Sequence, residues 1–377
     1  MSLIYRLASR NLFQDRLRFV ATIIGIVFSI VLVTIQLGLY LSFERMVTTM
    51  IDHAPADLWI VPLGTKCFED PSLLDEHDRD HALSVQGVAE AIPVVIGFTQ
   101  WTVPSGGTTP VFIIGSDASK TGLHPWNFVA GNLETLSTPH AVAVDRTYFG
   151  RLGITKIGDT TEIRDQKAQV TAITAGIRSF TTTPYVFTAL EPAQVYMGSG
   201  PNKVSYFLIN VSPKANIDHV RAQLLEHLSK VEVLTPDEFR DRSRSFWLFG
   251  TGAGAALFAG ALLGIIVGTV IVAQTLYSST KDHLIEFATL RAIGSSSVYI
   301  HKIIICQALL SATIGFSLAA AISLIIVKST AETALPIVMT PELTAGLFLL
   351  TVFMCVASAL SAIVQVIRID PAKVFNQ

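Results

Sequence analysis

Residues 250–268, GTGAGAALFAGALLGIIVG, are rich in glycine, and what those glycines are for decides the fold. A phosphate-binding glycine loop needs a strand before it, a soluble βαβ context and an acid downstream, and none of these surrounds the stretch. The other reading is a membrane helix with a close-packing face. Gly250 and Gly254 form one small-xxx-small pair, and Gly260, Gly264 and Gly268 continue the spacing in an offset set. A glycine face lets a second helix approach closely. The stretch lies within residues 246–276, which carry no charge. That run exceeds the roughly 20 apolar residues a bilayer core requires.

Three further uncharged runs follow the same rule, at residues 19–41, 303–327 and 343–367. Half of the 377 residues are hydrophobic and only 15% are charged, against about 25% for an ordinary soluble domain. The first run is too long for a signal-peptide core and is followed by SFERMV, not by a small-x-small cleavage site. No Asp, Glu, Lys or Arg lies inside the four runs, so the intramembrane relays of gradient-driven transporters are missing from them. A net charge of −2 supplies no basic surface for nucleic acid. The three cysteines, Cys67, Cys306 and Cys355, suggest neither a disulfide framework nor a zinc site.

Basic residues orient the spans. Arg6, Arg10, Arg16 and Arg18 precede the first, Lys281, Arg291 and Lys302 lie between the second and third, and Arg368 and Lys373 follow the fourth. The third and fourth are joined by a segment with Lys328 alone beside Glu332 and Glu342. The expected layout is an interfacial elbow helix or plain basic flank at 1–18, transmembrane helix 1 at 19–41, and an extracytoplasmic domain at 42–245. Helix 2 at 246–276, a cytoplasmic loop at 277–302 and helix 3 at 303–327 follow. A short outer loop at 328–342, helix 4 at 343–367 and a cytoplasmic tail at 368–377 complete it. Both termini are then cytoplasmic.

Residues 42–245 read as a normal α+β domain. ADLWIVPL, IPVVIGFTQWTV, TPVFIIGSD, QVTAITAGI, TPYVFTAL, VSYFLINV and VEVL are strand-like. HALSVQGVAEA and IDHVRAQLLEHL read as helices, and TPDEFRDRSRSFW starts with a Thr235–Glu238 capping box. The pattern is βαββ, an inserted β-rich middle at about 117–200, then βαβ, which predicts two lobes. DEHDRDHA sets His77 and His81 four apart among carboxylates, the spacing of a metal face, but no third ligand is evident and the stretch reads as a solvated acidic loop. No nucleophile elbow and no G-x-x-x-x-G-K-[ST] loop occurs, so no enzyme site and no phosphate loop is expected.

Between the second and third spans, KDHLIEFATLRAIGSSSVYIHK (281–302) reads as a capped helix of about 280–293. Ser279 and Asp282 have capping-box spacing, Gly294 is a stop, and Ser295–Ser297 can cap the next span. Leu284, Ile285, Phe287, Ala288 and Leu290 give it apolar teeth beside Glu286 and Arg291. Docking of a partner and rest on lipid headgroups both fit that periodicity.

EFATLRAIG (286–294) resembles the EIGLLRALG-type coupling segment of MacB/FtsX-type (type VII) ABC transporter permeases. HLIEFATLRAIG is similar to the HLPEYATLKAMG-type segment of the DevC-like branch, the heterocyst glycolipid exporter type, with Ile285 for the proline and Arg291 for the lysine. RNLFQDRLRFVATIIGI resembles the family's elbow and first span, and RIDPAKVF its tail. The resemblance implies an integral membrane α-helical protein of four transmembrane helices, with a two-lobed (porter-like and Sabre-like) periplasmic domain between helices 1 and 2. It implies that Leu284, Glu286, Phe287, Leu290, Arg291 and Gly294 contact an ABC ATPase subunit, present in two copies, which binds ATP and Mg; this chain itself would bind no cofactor. It further implies a second copy of the chain and a periplasmic membrane-fusion adaptor with a TolC-like outer-membrane channel. The setting would be the inner membrane of a Gram-negative-type bacterium, and the cargo an amphiphile such as a glycolipid. Lol-type lipoprotein release and FtsX-like control of a cell-wall hydrolase are the alternatives within the same resemblance.

Overall fold

The computed structural model describes residues 3–70, 72–117, 121–282 and 295–367. The chain divides into a helical unit, residues 1–41, 255–331 and 337–377, and a mixed unit, residues 42–254 and 332–336. Helices α1 (Leu3–Gln14) and α2 (Arg16–Asp52) open the chain. The mixed unit then contains β1 (Leu58–Pro62), β2 (Leu74–Asp75), α3 (Asp78–Leu83), β3 (Val88–Thr102) and β4 (Thr108–Ser116). There follow β5 (Phe128–Ala130), β6 (Ala141–Asp145), α4 (Phe149–Leu152), β7 (Thr160–Ile163), β8 (Gln166–Thr174), β9 (Tyr185–Ala189) and α5 (Leu190–Met197). It ends with β10 (Lys203–Val204), β11 (Tyr206–Val211), α6 (Ile217–His227), β12 (Val231–Leu234), α7 (Pro236–Ser245) and a π-helical turn, Phe246–Gly250. Three long helices complete the chain: α8 (Ala253–Asp282), α9 (Ser297–Thr330) and α10 (Pro341–Ile367).

Among the described residues four helices are long and apolar enough to cross a membrane: α2, and stretches of α8, α9 and α10. α2 is longer than the uncharged run at 19–41 predicts, because Glu44 and Arg45 end the apolar window without ending the helix. Met46, Val47, Met50 and Ile51 continue it as a buried face within the mixed unit. Inside the helical unit, Ala8, Ile26, Ile30, Val272, Ile304, Ala308, Ala312, Met354 and Cys355 form one apolar cluster.

Ten strands make a single sheet in the order β12-β1-β11-β3-β4-β9-β6-β8-β5, with β7 against β3 and β8. β2 and β10 form a separate pair. The strands of the inserted segment are part of that sheet. β9 joins β4 in parallel from Phe112↔Tyr185 to Ser116↔Ala189, which carries the hydrogen-bond ladder straight through the insertion. The apolar clusters divide by sheet face. Ile60, Val95, Ile113, Val144, Val186 and Phe207 share one with α3, α5 and α6. Trp59, Val94, Phe112, Ala143, Phe187 and Leu208 share the other with the end of α2 and with α7. Alternate residues thus enter alternate cores, and a sheet covered on both faces reads as unbroken apolar strands. β1 and β6 are buried at every position.

HALSVQGVAEA is not one helix. The helix lies earlier, at Asp78–Leu83, with Asp78 and Asp80 in its first turn, where acids favour a helix start. Gly87 then turns the chain at φ +100°, and a Cβ there would lie 2.8 Å from Val220. β3 begins at the next residue.

Candidate functional site

The residues read as the ATPase-contacting segment, Leu284, Glu286, Phe287, Leu290, Arg291 and Gly294, lie outside the described residues. Their flanks are described. Ser279 is inside α8, which runs unbroken to Asp282. It therefore begins no new helix: a capping residue caps only where the backbone leaves the helix, and here the backbone stays helical on both sides of Ser279. On the other side Ser296 holds the N-cap position of α9 with extended backbone and no side-chain cap bond.

The glycines of the opening stretch separate into two groups. In the helical unit, a Cβ on Gly260 would lie 2.5 Å from the Gln36 amide, one on Gly264 3.0 Å from Val33, and one on Gly268 2.2 Å from Ser29 Oγ. Ser29 Oγ donates to the Gly264 carbonyl at 2.6 Å, in space that only an absent side chain leaves open. These three glycines face α2. Gly250 and Gly254 do not belong to that face. A Cβ on Gly250 would lie nearest Phe246 of its own turn, at 3.5 Å, and one on Gly254 nearest the Leu248 carbonyl, at 2.6 Å. Between them Gly252, at φ +76°, breaks the path between α7 and α8. Residues 246–276 are therefore not one straight rod: a π-helical turn and a glycine joint precede α8. π-turns inside helical paths are frequent at functional positions.

Sequence reasoning had no signal for the cluster at the base of the mixed unit. Phe180, from the β8–β9 connection, stacks edge-on against Trp247 of the π-turn at 4.5 Å and against Phe43 of α2 at 5.0 Å. Leu335, from the segment between α9 and α10, packs with them on Met46 and Val47. Arg240 Nε reaches Asp52 at 2.6 Å and Arg244 Nε reaches Glu44 at 3.2 Å, so α7 is ion-paired to the end of α2. These pairs are partly exposed, and each contributes at most about 1 kcal/mol. α7 itself begins with the reciprocal Thr235–Glu238 capping box.

A loop after β1 is fastened to the same path at three points. Arg242 donates to the Thr65 carbonyl at 3.1 Å, the Phe68 amide donates to Ser243 Oγ at 3.0 Å, and Trp247 Nε1 donates to Glu69 Oε2 at 2.9 Å. Arg242 also pairs with Glu232 at 2.7 Å and holds that carboxyl below its usual range. Glu69 is 7% exposed. Burial pushes its carboxyl up to about 7, against the Trp247 hydrogen bond, which favours the ionised form. Because the folded value is raised, this burial is least costly below the ordinary carboxyl value of 4.5, and stability falls as pH rises from there through about 7. Burial likewise pushes the neighbouring Cys67 thiol up to about 12, so it is inert.

His77 and His81 are not brought to a common site. His77 Nδ1 lies 2.7 Å from Asp75 Oδ1, a partner it shares with Lys203, and among the described residues no group of His, Cys, Asp and Glu is arranged to hold a metal.

The model of the MacB-like periplasmic core domain matches residues 19–227, more than half of the chain, and that of the FtsX-like permease C-terminal domain matches 258–371. No curated protein matches the chain. Solved structures resemble part of the chain at low identity. The periplasmic region of MacB from Actinobacillus actinomycetemcomitans is 10% identical, with a TM-score of 0.39 over 51% of this chain and 94% of that one. The extracellular domain of the noncanonic ABC-type transporter YknZ from Gram-positive bacteria is 13% identical, with a TM-score of 0.37 over 48% and 99%. A domain of a putative permease from Porphyromonas gingivalis is also 13% identical, with a TM-score of 0.33 over 48% and 87%.

Proposed function

The chain belongs to the MacB/FtsX-type ABC permease family, and from that premise we propose that it is the membrane subunit of an ATP-driven exporter, working as a converter of force. The observation that carries the reading is the order of parts. One apolar helix precedes a large α+β unit, three follow it, and of the two segments that join the following spans 277–302 carries the larger basic content, Lys281, Arg291 and Lys302 against Lys328 alone. In this reading two copies pair in the membrane, and two separate ATPase chains bind ATP and Mg and press on residues 284–294. The mixed unit lies outside the cytoplasm, both termini lie inside, and the membrane is the inner one of a Gram-negative-type cell. α2 carries the push as an unbroken strut, and the α7–α8 path carries it through a joint at Gly252. The mixed unit then drives an amphiphile such as a glycolipid outward through a membrane-fusion adaptor and a TolC-like channel, as the DevC-like resemblance implies.

Glu286→Lys combined with Arg291→Glu is expected to abolish ATPase recruitment and transport while leaving the permease folded. Co-purification of the ATPase and vesicle transport read the outcome, and intact recruitment and transport in the double variant would sink the proposal. The FtsX-like C-terminal match keeps a second reading in view, control of a cell-wall hydrolase by the outer domain. Pull-down with the full chain separates the cases: a long-hairpin adaptor supports export, a hydrolase supports control, and a soluble lipoprotein carrier supports Lol-type release.

A further inference from the structure

Glu69 combines burial, an unmatched polar atom and a contact with the turn at the head of α8. Its Oε2 accepts from Trp247, while the Tyr185 hydroxyl and the Cys67 thiol lie beside the carboxyl and favour its ionised form without completing a well-aligned hydrogen bond to Oε1. The titratable groups turned toward the carboxyl are Cys67 from its own loop, Tyr185 from β9 and Tyr206 from β11. None of them carries a positive charge. A carboxylate buried without a cation is strongly disfavoured, and the group responds by taking up a proton or by reaching water.

Reaching water means leaving Trp247. The other two ties of the loop, Arg242 to Thr65 and Phe68 to Ser243, involve no group that gains or loses a proton near neutrality. The Glu69–Trp247 bond is thus the one proton-dependent tie, and it sits on the π-turn five residues before the Gly252 joint. We propose that Glu69 is a proton-binding clasp: protonated, it stays buried and holds the Phe246–Gly250 turn against the mixed unit; ionised, it swings toward water and frees that turn.

The direction follows from linkage. In the buried state the carboxyl titrates near 7, while in a water-facing state it would keep its ordinary value of 4.5. Acid therefore favours the closed clasp, and the closed population falls by up to about two orders of magnitude as pH rises across that interval. In the reading proposed above the mixed unit lies outside the cytoplasm, where such changes in pH occur. The mechanism concerns the mixed unit alone and holds whichever substrate or partner the permease serves.

Hydrogen exchange on the full chain in lipid nanodiscs, corrected for the intrinsic pH dependence of exchange, tests it. Residues 65–70 and 243–252 are expected to exchange at least tenfold faster at about pH 8 than at about pH 5.5. Glu69→Gln should stay protected at both values, and Trp247→Phe should be weakly protected at both. Equal protection of the native chain at both pH values, or a surviving pH step in Glu69→Gln, overturns the proposal. Infrared titration of the buried carboxyl gives a second readout that does not need Glu69→Gln to fold. The protonated-acid band should vanish with a midpoint near 7, and Trp247→Phe should move that midpoint upward, because the lost bond favoured the ionised form. A midpoint unmoved by Trp247→Phe counts against the clasp.

Discussion

α2 and the α7–α8 path both lead between the mixed unit and the membrane helices along the chain, and they are built differently. α2 runs 37 residues without a break, about 55 Å at 1.5 Å per residue. Its two glycines, Gly25 and Gly38, are tucked against Ile271 and Ile337 and open no joint. The second path changes character three times within a dozen residues: α7, a π-turn, Gly252 in the left-handed region, then α8. The lesson is that apolar length alone does not make a strut. Within residues 250–268, glycines of like spacing serve two opposite ends. Three bring α8 tightly against α2, and Gly252, in the left-handed region, separates α8 from the π-turn before it.

The comparison is most strongly tested by adding bulk to the close-packed group. Gly268→Leu should cost about 3 kcal/mol of stability, since its Cβ alone would fall 2.2 Å from Ser29 Oγ and 2.7 Å from Met354. Gly250→Leu should be nearly silent. Thermal unfolding in detergent reads both, and equal effects would erase the distinction between the two glycine groups. A smaller change is expected at the joint. Gly252→Val forces a β-branched residue to φ +76° at a cost of about 1–2 kcal/mol. A spin-label pair on α7 and α8 should report an altered distance distribution, and an unchanged one would mean that the joint is not set by the glycine. The smallest effect sharpens the picture of α7 as an independently capped segment. Thr235→Ala removes the bond to the Glu238 amide and should cost about 1 kcal/mol in the unfolding of the mixed unit, with no change in the helical unit.

The four apolar helices, the α+β character of residues 42–245, the Thr235 cap and the glycine face of α8 were legible in the sequence, because each is a local property: a run without charge, a β-branched cluster, a capping residue at the right spacing. The family followed from short charged and terminal motifs. The base cluster was not legible. Phe43, Glu69, Phe180, Trp247 and Leu335 are scattered across nearly 300 residues, and no periodicity links them. The continuity of the sheet through the insertion was not legible for a related reason. An inserted β-rich segment looks separate along the chain, whereas the β4–β9 pairing that merges it is parallel and non-local. The helix assigned to start at Ser279 was a cap signal read without its backbone.

By itself, then, the order of residues determined which segments favour lipid, which favour strands, and where helices can start, since solvation and backbone preference act on neighbours. Only the tertiary structure decided which glycines bind a helix and which one frees it, that two cores lie on two faces of one sheet, and that Glu69 is buried against Trp247. Those outcomes depend on what a side chain meets across space, and contact between distant residues leaves no mark on the sequence around either of them.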